Sequence, residues 1–376
     1  MKRSTDCILT THTGSLARPK ELLELMQARS QGKAVDQAEF DARARAAVAD
    51  IVKKQAESGI DIVNDGEQSK AGFFVYAVER LTGIEPTEAG EDPRAGWKAE
   101  IEAFPEYYAQ YFGHNMQSVA GMRPLAITGP ISYKGQAAIK RDVENLKAAL
   151  QGVQVEEAFM PSLGPRMLGK NLHYKTDEEC IFAVAEAMRE EYQAIVDAGF
   201  LLQVDDPWLA EGYKDNVRAE THVEAINHAI RGIPPEKVRF HTCYGINEGP
   251  RIHDSALKDY IQHMLRINAG AYSFEAVNPR HQHEWHVFED VKLPEGKLII
   301  PGMVSHASNI VEHPELIADL LVSYANLVGR ENVIAGSDCG FSSQATFTPE
   351  VHPTVVWAKF QAMAEGARLA SKRLWR

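Results

Sequence analysis

The sequence predicts an α/β protein built as a single (β/α)8 TIM barrel. Two observations favour this fold. Short apolar runs typical of buried strands alternate with longer amphipathic segments typical of helices. Eight such runs can be found along the 376 residues, and regular strand–helix alternation implies a parallel sheet that eight units can close. A doubly wound open sheet is the alternative, and it would need fewer strands and a different closure.

The candidate strands are rich in Val, Ile, Leu or Phe, and most of them end in polar or small residues. They are Cys7–Thr11, Ile60–Asn64, Pro124–Thr128, Leu201–Asp205, Val238–His241, Ala271–Glu275, Leu298–Gly302 and Asn332–Gly336. The active sites of TIM barrels lie at the carboxyl ends of the strands, so the polar residues at these ends are candidate site residues.

Helical patterns fall between the strands. Phe40–Ser58 has apolar residues at helical spacing, and Gly59 follows as a stop signal. Thr176 is placed to cap a helix over Asp177–Asp197, with Glu179 at the capping-box position. Further helices are predicted at Val217–Arg231, Ser255–Asn268, Pro314–Val328 and Pro353–Lys372.

Two segments interrupt the alternation. Phe73–Met122 carries aromatic and charged residues with Gly and Pro but no clear period, and Tyr133–His173 is partly helical and then loop-like. We interpret them as long insertions in the βα loops after strands 2 and 3, where barrels build substrate sites. Residues 1–376 are therefore expected to form one catalytic barrel.

Composition narrows the classes of partner. A formal net charge of −12 argues against nucleic acid as the main partner. No apolar run is long enough to span a bilayer, and the N-terminus lacks a signal-peptide pattern. The few cysteines do not resemble a disulfide framework, which favours a cytoplasmic location. These cysteines are Cys7, Cys180, Cys243 and Cys339.

Four residues near strand ends form a candidate metal set: His241, Cys243, Glu275 and Cys339. A lone H-x-C would more often be a core histidine and a buried cysteine, but three ligand types at three strand ends favour Zn²⁺. Two thiolates and a carboxylate exceed the charge of the ion and make it a poor Lewis acid. A bound substrate thiolate then stays nucleophilic, which favours alkyl transfer to sulfur over activation of water.

Several motifs carry a resemblance to a known family. H-T-C-Y, S-F-E, P-G-M-V-S-H and S-D-C-G, with T-H-T-G-S-L and V-D-D-P-W-L-A-E, resemble the catalytic domain of cobalamin-independent methionine synthase from about Thr10 to the C-terminus. S-F-E-A-V-N-P-R-H-Q-H-E-W, and the stretch from L-P-E-G-K through S-D-C-G, are similar to epoxyalkane:coenzyme M transferase, a zinc alkyltransferase of the same superfamily. The resemblance implies a barrel, the same four zinc ligands and alkyl transfer to a zinc-bound thiolate.

Further roles follow from the resemblance. His306 matches a proton donor for the leaving group, and its place just past strand seven fits that role better than a purely structural one. Ser15 and Glu67 match residues that hold the amino-acid end of homocysteine, and Asp205 matches a carboxylate that binds its ammonium group. Methionine synthases carry a second, N-terminal barrel that helps to hold folate; a chain of this length leaves no room for a separate N-terminal folate barrel, which places folate use in doubt.

Other residues are secondary candidates. Arg251 and Arg280 could bind an anionic tail through bidentate hydrogen bonds. Three aromatic residues could line a donor pocket or belong to the core: Trp208, Tyr244 and Trp285. Three histidines suggest a second metal site: His281, His283 and His286. Their spacing alone is weak evidence and the acidic partners there are only Glu284 and Glu289, so we interpret them as structural or substrate-loop residues.

The favoured hypothesis is a zinc-dependent methyltransferase that moves a methyl group from 5-methyltetrahydrofolate or another donor to homocysteine or a related thiol. The alternative is epoxide opening of the epoxyalkane:coenzyme M transferase type. A corrinoid-linked methyltransferase or uroporphyrinogen decarboxylase-like enzyme also uses H-x-C and a later Cys, but Glu275 and His306 speak against it. A non-enzymatic zinc-binding paralogue has the least support. The donor (folate, corrinoid protein or epoxide), the acceptor thiol and a homo-oligomeric state are left open.

Overall fold

The computed structural model describes residues 1–91, 97–114, 118–121, 123–212, 216–245 and 248–375. Within these ranges the strands are β1 Leu9–Thr10, β2 Ile62–Val63, β3 Ile84–Glu91, β4 Leu125–Ile127, β5 Glu157–Leu163, β6 Lys170–Asn171, β7 Leu201–Asp205, β8 Val238–His241, β9 Ala271–Phe274, β10 Leu298–Val304 and β11 Ile334–Ser337. The helices are α1 Lys20–Ser30, α2 Gln37–Glu57, α3 Val75–Arg80, α4 Lys98–Ala103, α5 Pro105–His114, α6 Gln136–Ala149, α7 Asp177–Asp197, α8 Trp208–Gly212, α9 Asn216–Ala229, α10 Leu257–Met264, α11 Val287–Asp290, α12 Pro314–Val328 and α13 Pro353–Leu374.

Eight parallel strands form the barrel in the order β1-β11-β10-β9-β8-β7-β5-β2. A parallel bridge between Thr11 and Ile62 joins the two ends of this order and closes the sheet. Helices flank the strands, so the predicted (β/α)8 barrel is confirmed. None of the helices in the described ranges is both long enough and apolar enough to cross a membrane.

The third barrel strand differs from the predicted one. It is β5, which pairs with β2 and β7, whereas the predicted strand Pro124–Thr128 corresponds to β4 in a separate sheet of order β3-β4-β6. The β5 sequence E-A-F-M-P-S-L begins with a charge and contains Pro161, which cannot donate to a ladder, so it lacks the usual strand signal. Most of the inserted chain therefore follows β2, and the loop after β5 contributes β6 to the side sheet.

Helix termini agree closely with the predicted capping signals. Helix α7 begins as predicted, because the Thr176 side chain accepts a hydrogen bond from the Glu179 backbone N–H at 3.1 Å. Helix α12 begins at Pro314 and ends at Val328, as predicted. Helix α10 is shorter than the predicted segment Ser255–Asn268.

The barrel interior is layered. Apolar side chains fill the end at which the strands begin: Leu9, Ile62, Phe159, Leu201, Ala271, Leu298, Ile300 and Ile334. Arg239 of β8 lies inside the barrel with its guanidinium 3.9 Å from the centroid of the Phe159 ring. It donates to Thr11 Oγ1 at 3.0 Å and to the His12 carbonyl at 3.2 Å. This polar layer links β1 to β8 and leaves the opposite end of the barrel for the site.

A buried ion-pair cluster ties the insertion to the barrel helices. Arg80 of α3 donates to Glu191 of α7 at 2.8 Å and also pairs with Asp142 of α6. Glu191 further accepts hydrogen bonds from Tyr133 at 2.6 Å and Ser162 at 2.8 Å. Burial opposes ionisation of Glu191, but the nearby cations and hydrogen bonds outweigh it and lower its pKa to about 2.

Replacing Arg80 with Met should destabilise the fold strongly, because two buried carboxylates would lose their cation. Breaking a buried pair in this way typically costs about 3–5 kcal/mol, measurable as the free energy of unfolding in urea. Arg368→Met, which removes an exposed pair with Glu365, is the matched control and should change stability little. An equal loss in both variants would contradict a structural role for the buried cluster.

The change of the free energy of unfolding with pH should depend on the same buried ion-pair cluster. The folded-state pKa of Glu191 is lowered from 4.5 to about 2. The ionised carboxylate therefore adds to the free energy of unfolding above pH 4.5, and this stabilisation is lost as the pH falls towards 2. Comparing urea unfolding of the wild type and Glu191→Gln across this window isolates the contribution. If the difference between the two proteins stays constant from pH 5 to pH 2, this assignment is wrong.

Candidate metal centre and active site

A cavity of about 1570 Å³ opens at the carboxyl ends of the strands. Six of the predicted site residues line it: Ser15, Glu67, Asp205, His241, Cys243 and Cys339. The other two, Glu275 and His306, are not among the described residues that line it. Barrel closure therefore brings residues from both ends of the chain to one space.

His241, Cys243 and Cys339 form a compact group of candidate metal ligands. One ligand atom of each lies within 4.8 Å of the others, and the two Sγ atoms are 3.3 Å apart. The His241 ring is oriented by Ser273, whose Oγ is 3.2 Å from Nδ1. Its Nε2 is buried and has no hydrogen-bond partner among the described residues. A buried nitrogen without a partner beside two thiols is a donor set that suits zinc.

The protonation of these groups agrees with a ligand role. Burial and the nearby Arg239 lower the pKa of His241 to about 3, so the imidazole is neutral, as a metal ligand must be. The hydrogen bond from Cys339 and burial raise the pKa of Cys243 well above its usual value. The Cys243 thiol therefore remains protonated unless a cation stabilises its thiolate.

Glu275 lies outside this three-residue group. Its buried carboxylate accepts hydrogen bonds from the Tyr244 backbone at 3.1 Å, Asn278 Nδ2 at 2.8 Å and Arg251 Nη2 at 2.7 Å. It instead has carboxylate oxygens near the side chains of His306 and Asp338, with the ligand atoms within 4.8 Å of one another. The fourth predicted zinc ligand is thus adjacent to the centre but held by other partners.

Asp338 is a structural residue that the motif S-D-C-G did not reveal. Its carboxylate accepts backbone hydrogen bonds from Ala276 at 2.7 Å, Val277 at 3.0 Å and Asn278 at 3.1 Å. It therefore ties the loop after β9 to the loop after β11 and fixes the position of Cys339. Gly302 allows this packing, since a Cβ there would overlap Asp338 Oδ1. With these N–H donors in place, its oxygens are poorly placed to hold a second metal ion.

His306 is buried after β10 and is neutral. Burial, with the positive charge of Arg251 and the proximity of His241, lowers its pKa well below the usual value. Its Nδ1 has no hydrogen-bond partner among the described residues. The predicted proton-donor role therefore remains a prediction.

Two carboxylates and a serine face the cavity: Ser15 from the loop after β1, Glu67 from the loop after β2 and Asp205 from the end of β7. Glu67 has a φ of 54° and accepts a hydrogen bond from Lys70 Nζ at 3.1 Å. Asp205 accepts one from Gln203 at 2.8 Å, and burial and the charge of Glu67 raise its pKa well above the usual value. A bound ammonium group would stabilise the ionised form of Asp205. Ser15 accepts a hydrogen bond from the Ser342 backbone at 3.4 Å.

A histidine–aspartate pair on the cavity wall was missed. His222 lines the cavity, and its Nε2 is hydrogen bonded to Asp206. The other Asp206 oxygen accepts from the Trp208 backbone at 2.8 Å, and Arg166 lies over the Trp208 ring at 2.8 Å from its centroid. Trp208 lines the cavity, in line with one of its two predicted roles. A single histidine within helix α9 gives no pattern from which its partner could be inferred.

The secondary candidates are mostly structural. Neither of the two remaining aromatic candidates, Tyr244 and Trp285, is among the described residues that line the cavity. His281 is bonded to Asp254 and Glu284, each at 2.9 Å; burial opposes its charge, but these carboxylates raise its pKa to about 9. The other predicted histidines and arginines also lie away from the cavity lining: His283, His286, Arg251 and Arg280.

Comparison with known proteins decides the family. Residues 173–359 match the model described as the catalytic domain of cobalamin-independent synthase. This segment belongs to the cobalamin-independent methionine synthase family. The matched segment contains the candidate ligand group as well as Asp205, Glu275 and His306.

The chain is similar to proteins named methionine synthase and to a solved structure of one. The chain is 27% identical to a methionine synthase of Sulfolobus acidocaldarius over 240 residues, which cover 63% of this chain and 61% of that protein. It is 25% identical to a methionine synthase of Sulfurisphaera tokodaii over 337 residues, covering 88% and 85% of the two chains. A B12-independent methionine synthase from Shewanella sp. W3-18-1, solved in complex with selenomethionine, has a TM-score of 0.77 at 21% identity, with 98% and 99% coverage. That structure supports the fold.

Replacing Cys339 with Ser should remove most bound zinc from protein purified or reconstituted with Zn²⁺, because one soft ligand of three is lost. The fold should persist, since the barrel core does not depend on this side chain. Metal content by mass spectrometry and the far-ultraviolet circular dichroism spectrum provide the measurement. Cys7→Ser is the control, because Cys7 is exposed and remote from the centre, and it should keep full zinc content. Stoichiometric zinc in Cys339→Ser would show that the ligand assignment is wrong.

Proposed function

We propose that this protein is a zinc-dependent methyltransferase that transfers a methyl group to the thiol of homocysteine or a closely related amino thiol. One observation carries the proposal: the group of His241, Cys243 and Cys339 lines the same cavity as Glu67 and Asp205. A soft-metal centre can bind a thiol, and the buried carboxylates nearby can bind an ammonium group. An amino thiol presents both groups on one small molecule.

His241, Cys243 and Cys339 would hold the proposed zinc, with Glu275 as the adjacent fourth ligand candidate. When bound, zinc lowers the pKa of the acceptor thiol and keeps its sulfur as a nucleophilic thiolate. The neutral imidazole of His241, fixed through Ser273, is ready to ligate without losing a proton.

The chain's own residues orient the acceptor. Asp205 and Glu67 provide negative charge for its ammonium group, and Lys70 holds one Glu67 oxygen in place. Ser15 offers a hydroxyl at the same wall. Relatives bear the name methionine synthase, and the Shewanella structure contains selenomethionine, which supports an amino acid with sulfur or selenium in its side chain as the ligand.

The methyl donor occupies the remaining volume of the cavity in this proposal. A cavity of about 1570 Å³ exceeds what an amino thiol fills, so a large donor such as a methylated folate has room. His306 supplies the proton to the leaving group after it takes up a proton from solvent or substrate. Methyl donation by a corrinoid protein and epoxide opening by a thiol are the competing outcomes of the test.

A screen of thiols by zinc-edge X-ray absorption tests the acceptor. Homocysteine should add one sulfur to the zinc shell and release one proton, whereas coenzyme M and 2-mercaptoethanol should do so only at much higher concentration. Asp205→Asn should weaken homocysteine binding by about tenfold or more, the equivalent of roughly 1.4 kcal/mol, and leave 2-mercaptoethanol unaffected. A stronger response to coenzyme M than to homocysteine would favour the epoxide reaction.

His306→Gln should keep zinc content and homocysteine binding but slow methyl transfer by about 10²–10⁴-fold, the usual contribution of a general acid. Single-turnover transfer from 5-methyltetrahydrofolate measures the chemical step directly. His313→Gln, which alters an exposed helix-capping histidine, serves as the control and should leave transfer unchanged. Undiminished transfer in His306→Gln would remove this residue as the acid.

A further inference from the structure

Arg18, in the loop after β1, is a buried cation that binds four backbone carbonyls. Each terminal nitrogen of its guanidinium donates two hydrogen bonds, Nη1 to the carbonyls of Leu16 and Ser342 and Nη2 to those of Glu67 and Lys70. Burial lowers the pKa of Arg18, because loss of water opposes its positive charge. A cation in such a place is costly unless its donors are satisfied, and here the four carbonyls satisfy them.

These carbonyls join three loops that are neighbours on the rim of the barrel. Strand β1 pairs with β11, and the residue that follows β1 forms a bridge with β2. Arg18 therefore reaches from the middle loop to the loops on both sides. Each loop carries a candidate site residue: Ser15 after β1, Glu67 after β2 and Cys339 after β11. Arg18 thus connects the loop of a candidate metal ligand with the loop of a carboxylate proposed to bind the ammonium group.

Arg18 fixes the backbone at Glu67. The φ of Glu67 is 54°, in the left-handed region that non-glycine residues seldom adopt. Its N–H donates to Asp65 Oδ1 at 3.0 Å, and its carbonyl accepts from Arg18 Nη2 at 3.0 Å. Arg18 Nη2 also donates to the Lys70 carbonyl at 2.9 Å, and Lys70 Nζ donates to Glu67 Oε1 at 3.1 Å. The backbone and the side chain of Glu67 are therefore both held in place relative to Arg18.

The loop after β11 is tied to the loop after β1 a few residues beyond Cys339. The Ser342 N–H donates to Ser15 Oγ at 3.4 Å, and the Ser342 carbonyl accepts from Arg18 Nη1. Gly340 allows this close approach, because a Cβ there would overlap Ser15 Oγ. The backbone that carries Cys339 is therefore fixed against the same loop as the backbone of the ammonium-binding carboxylate.

We propose that Arg18 is a positioning residue that sets the distance between the sulfur-binding centre at Cys339 and the carboxylate of Glu67, and that this distance selects homocysteine over cysteine. The inference rests on the proposed function and deepens it by naming the origin of its specificity. Arg18 is not among the described residues that line the cavity, so it acts through the two loops and not on the thiol itself.

An amino thiol that is bound at both ends is sensitive to the distance between its two binding groups. Cysteine is shorter than homocysteine by one methylene, and one carbon–carbon bond is about 1.5 Å long. It cannot reach both groups when they are held at the distance that suits homocysteine. Arginine is suited to hold that distance, because its planar fork presents several donors in a fixed geometry, whereas a lysine is a compact point charge.

Arg18→Met should reduce the preference for homocysteine over cysteine. We expect zinc-loaded wild-type protein to bind homocysteine at least about tenfold more tightly than cysteine, the usual minimum effect of one methylene. In the variant the three loops lose their common donor, so homocysteine should bind about tenfold more weakly while cysteine binding changes little. Isothermal titration calorimetry gives both dissociation constants. Zinc content, and binding of 2-mercaptoethanol, which has no ammonium group, should stay at the wild-type level.

Arg18→Lys separates geometry from charge. It keeps the positive charge, but one ammonium group cannot serve four carbonyls on three loops, so it should behave like Arg18→Met. Full recovery of the preference in Arg18→Lys would overturn the proposal, because charge alone would then be sufficient.

Arg330→Met is the matched control. Arg330 also donates to a backbone carbonyl, that of Leu374, but it precedes β11 and so lies at the end of the barrel opposite the cavity. This variant should keep the wild-type ratio of the two dissociation constants. An equal loss of preference in Arg330→Met would show a general effect of destabilisation and would contradict a specific role for Arg18.

A folded Arg18→Met protein that keeps the wild-type ratio would overturn the proposal, and so would a wild type that binds the two amino thiols equally well. If Arg18→Met does not fold, Arg18→Gln retains one amide donor and should lower the ratio in the same direction; an unchanged ratio there also overturns it. Wild-type protein that binds homocysteine no more tightly than 2-mercaptoethanol would refute the proposed acceptor together with this inference. A preference that persists in Arg18→Met refutes this inference alone.

Discussion

Closure of the parallel sheet is the constraint on which the whole site depends. β1 pairs with β11, although these strands lie at opposite ends of the chain, and the bridge from Thr11 to Ile62 completes the circle. Because parallel strands all point the same way, their carboxyl ends share one rim. Ser15 after β1 and Cys339 after β11 thereby come to line the same cavity as His241 from the opposite part of the sheet. Opening the barrel would separate these side chains.

The buried charges at this rim fall into two classes. Some are compensated within the protein: Glu275 by Arg251 and Glu191 by Arg80. Glu67, which faces the cavity, is paired with Lys70. Asp205 has no salt bridge among the described residues, and burial and the charge of Glu67 raise its pKa well above the usual value. Ionising such a carboxylate is costly, because burial disfavours the charged form. A cationic group beside Asp205 would favour its ionised form.

The residues that position the candidate ligands are as important as the ligands themselves. Asp338 gathers three successive backbone N–H groups from the loop after β9, and Ser273 orients His241 from β9 itself. These partners fix the positions from which the ligand atoms converge, as outer-shell residues do at metal sites in general. Asp338 and Ser273 are not soft metal ligands, and they do not lie at a sequence spacing typical of a metal site. The sequence motifs therefore did not identify them.

The sequence by itself determined the barrel and predicted the candidate ligands. Strands β7 and β8 have the predicted bounds because they are buried apolar runs with polar ends, and the capping residues of α7 act locally. Only the tertiary structure decided that β5 is the third strand, because its place depends on pairing with β2 and β7 rather than on its own composition. It also decided the partners of Glu275. A carboxylate at a strand end can serve a metal or an arginine equally well, and which one it meets depends on loops that only the closed fold brings together.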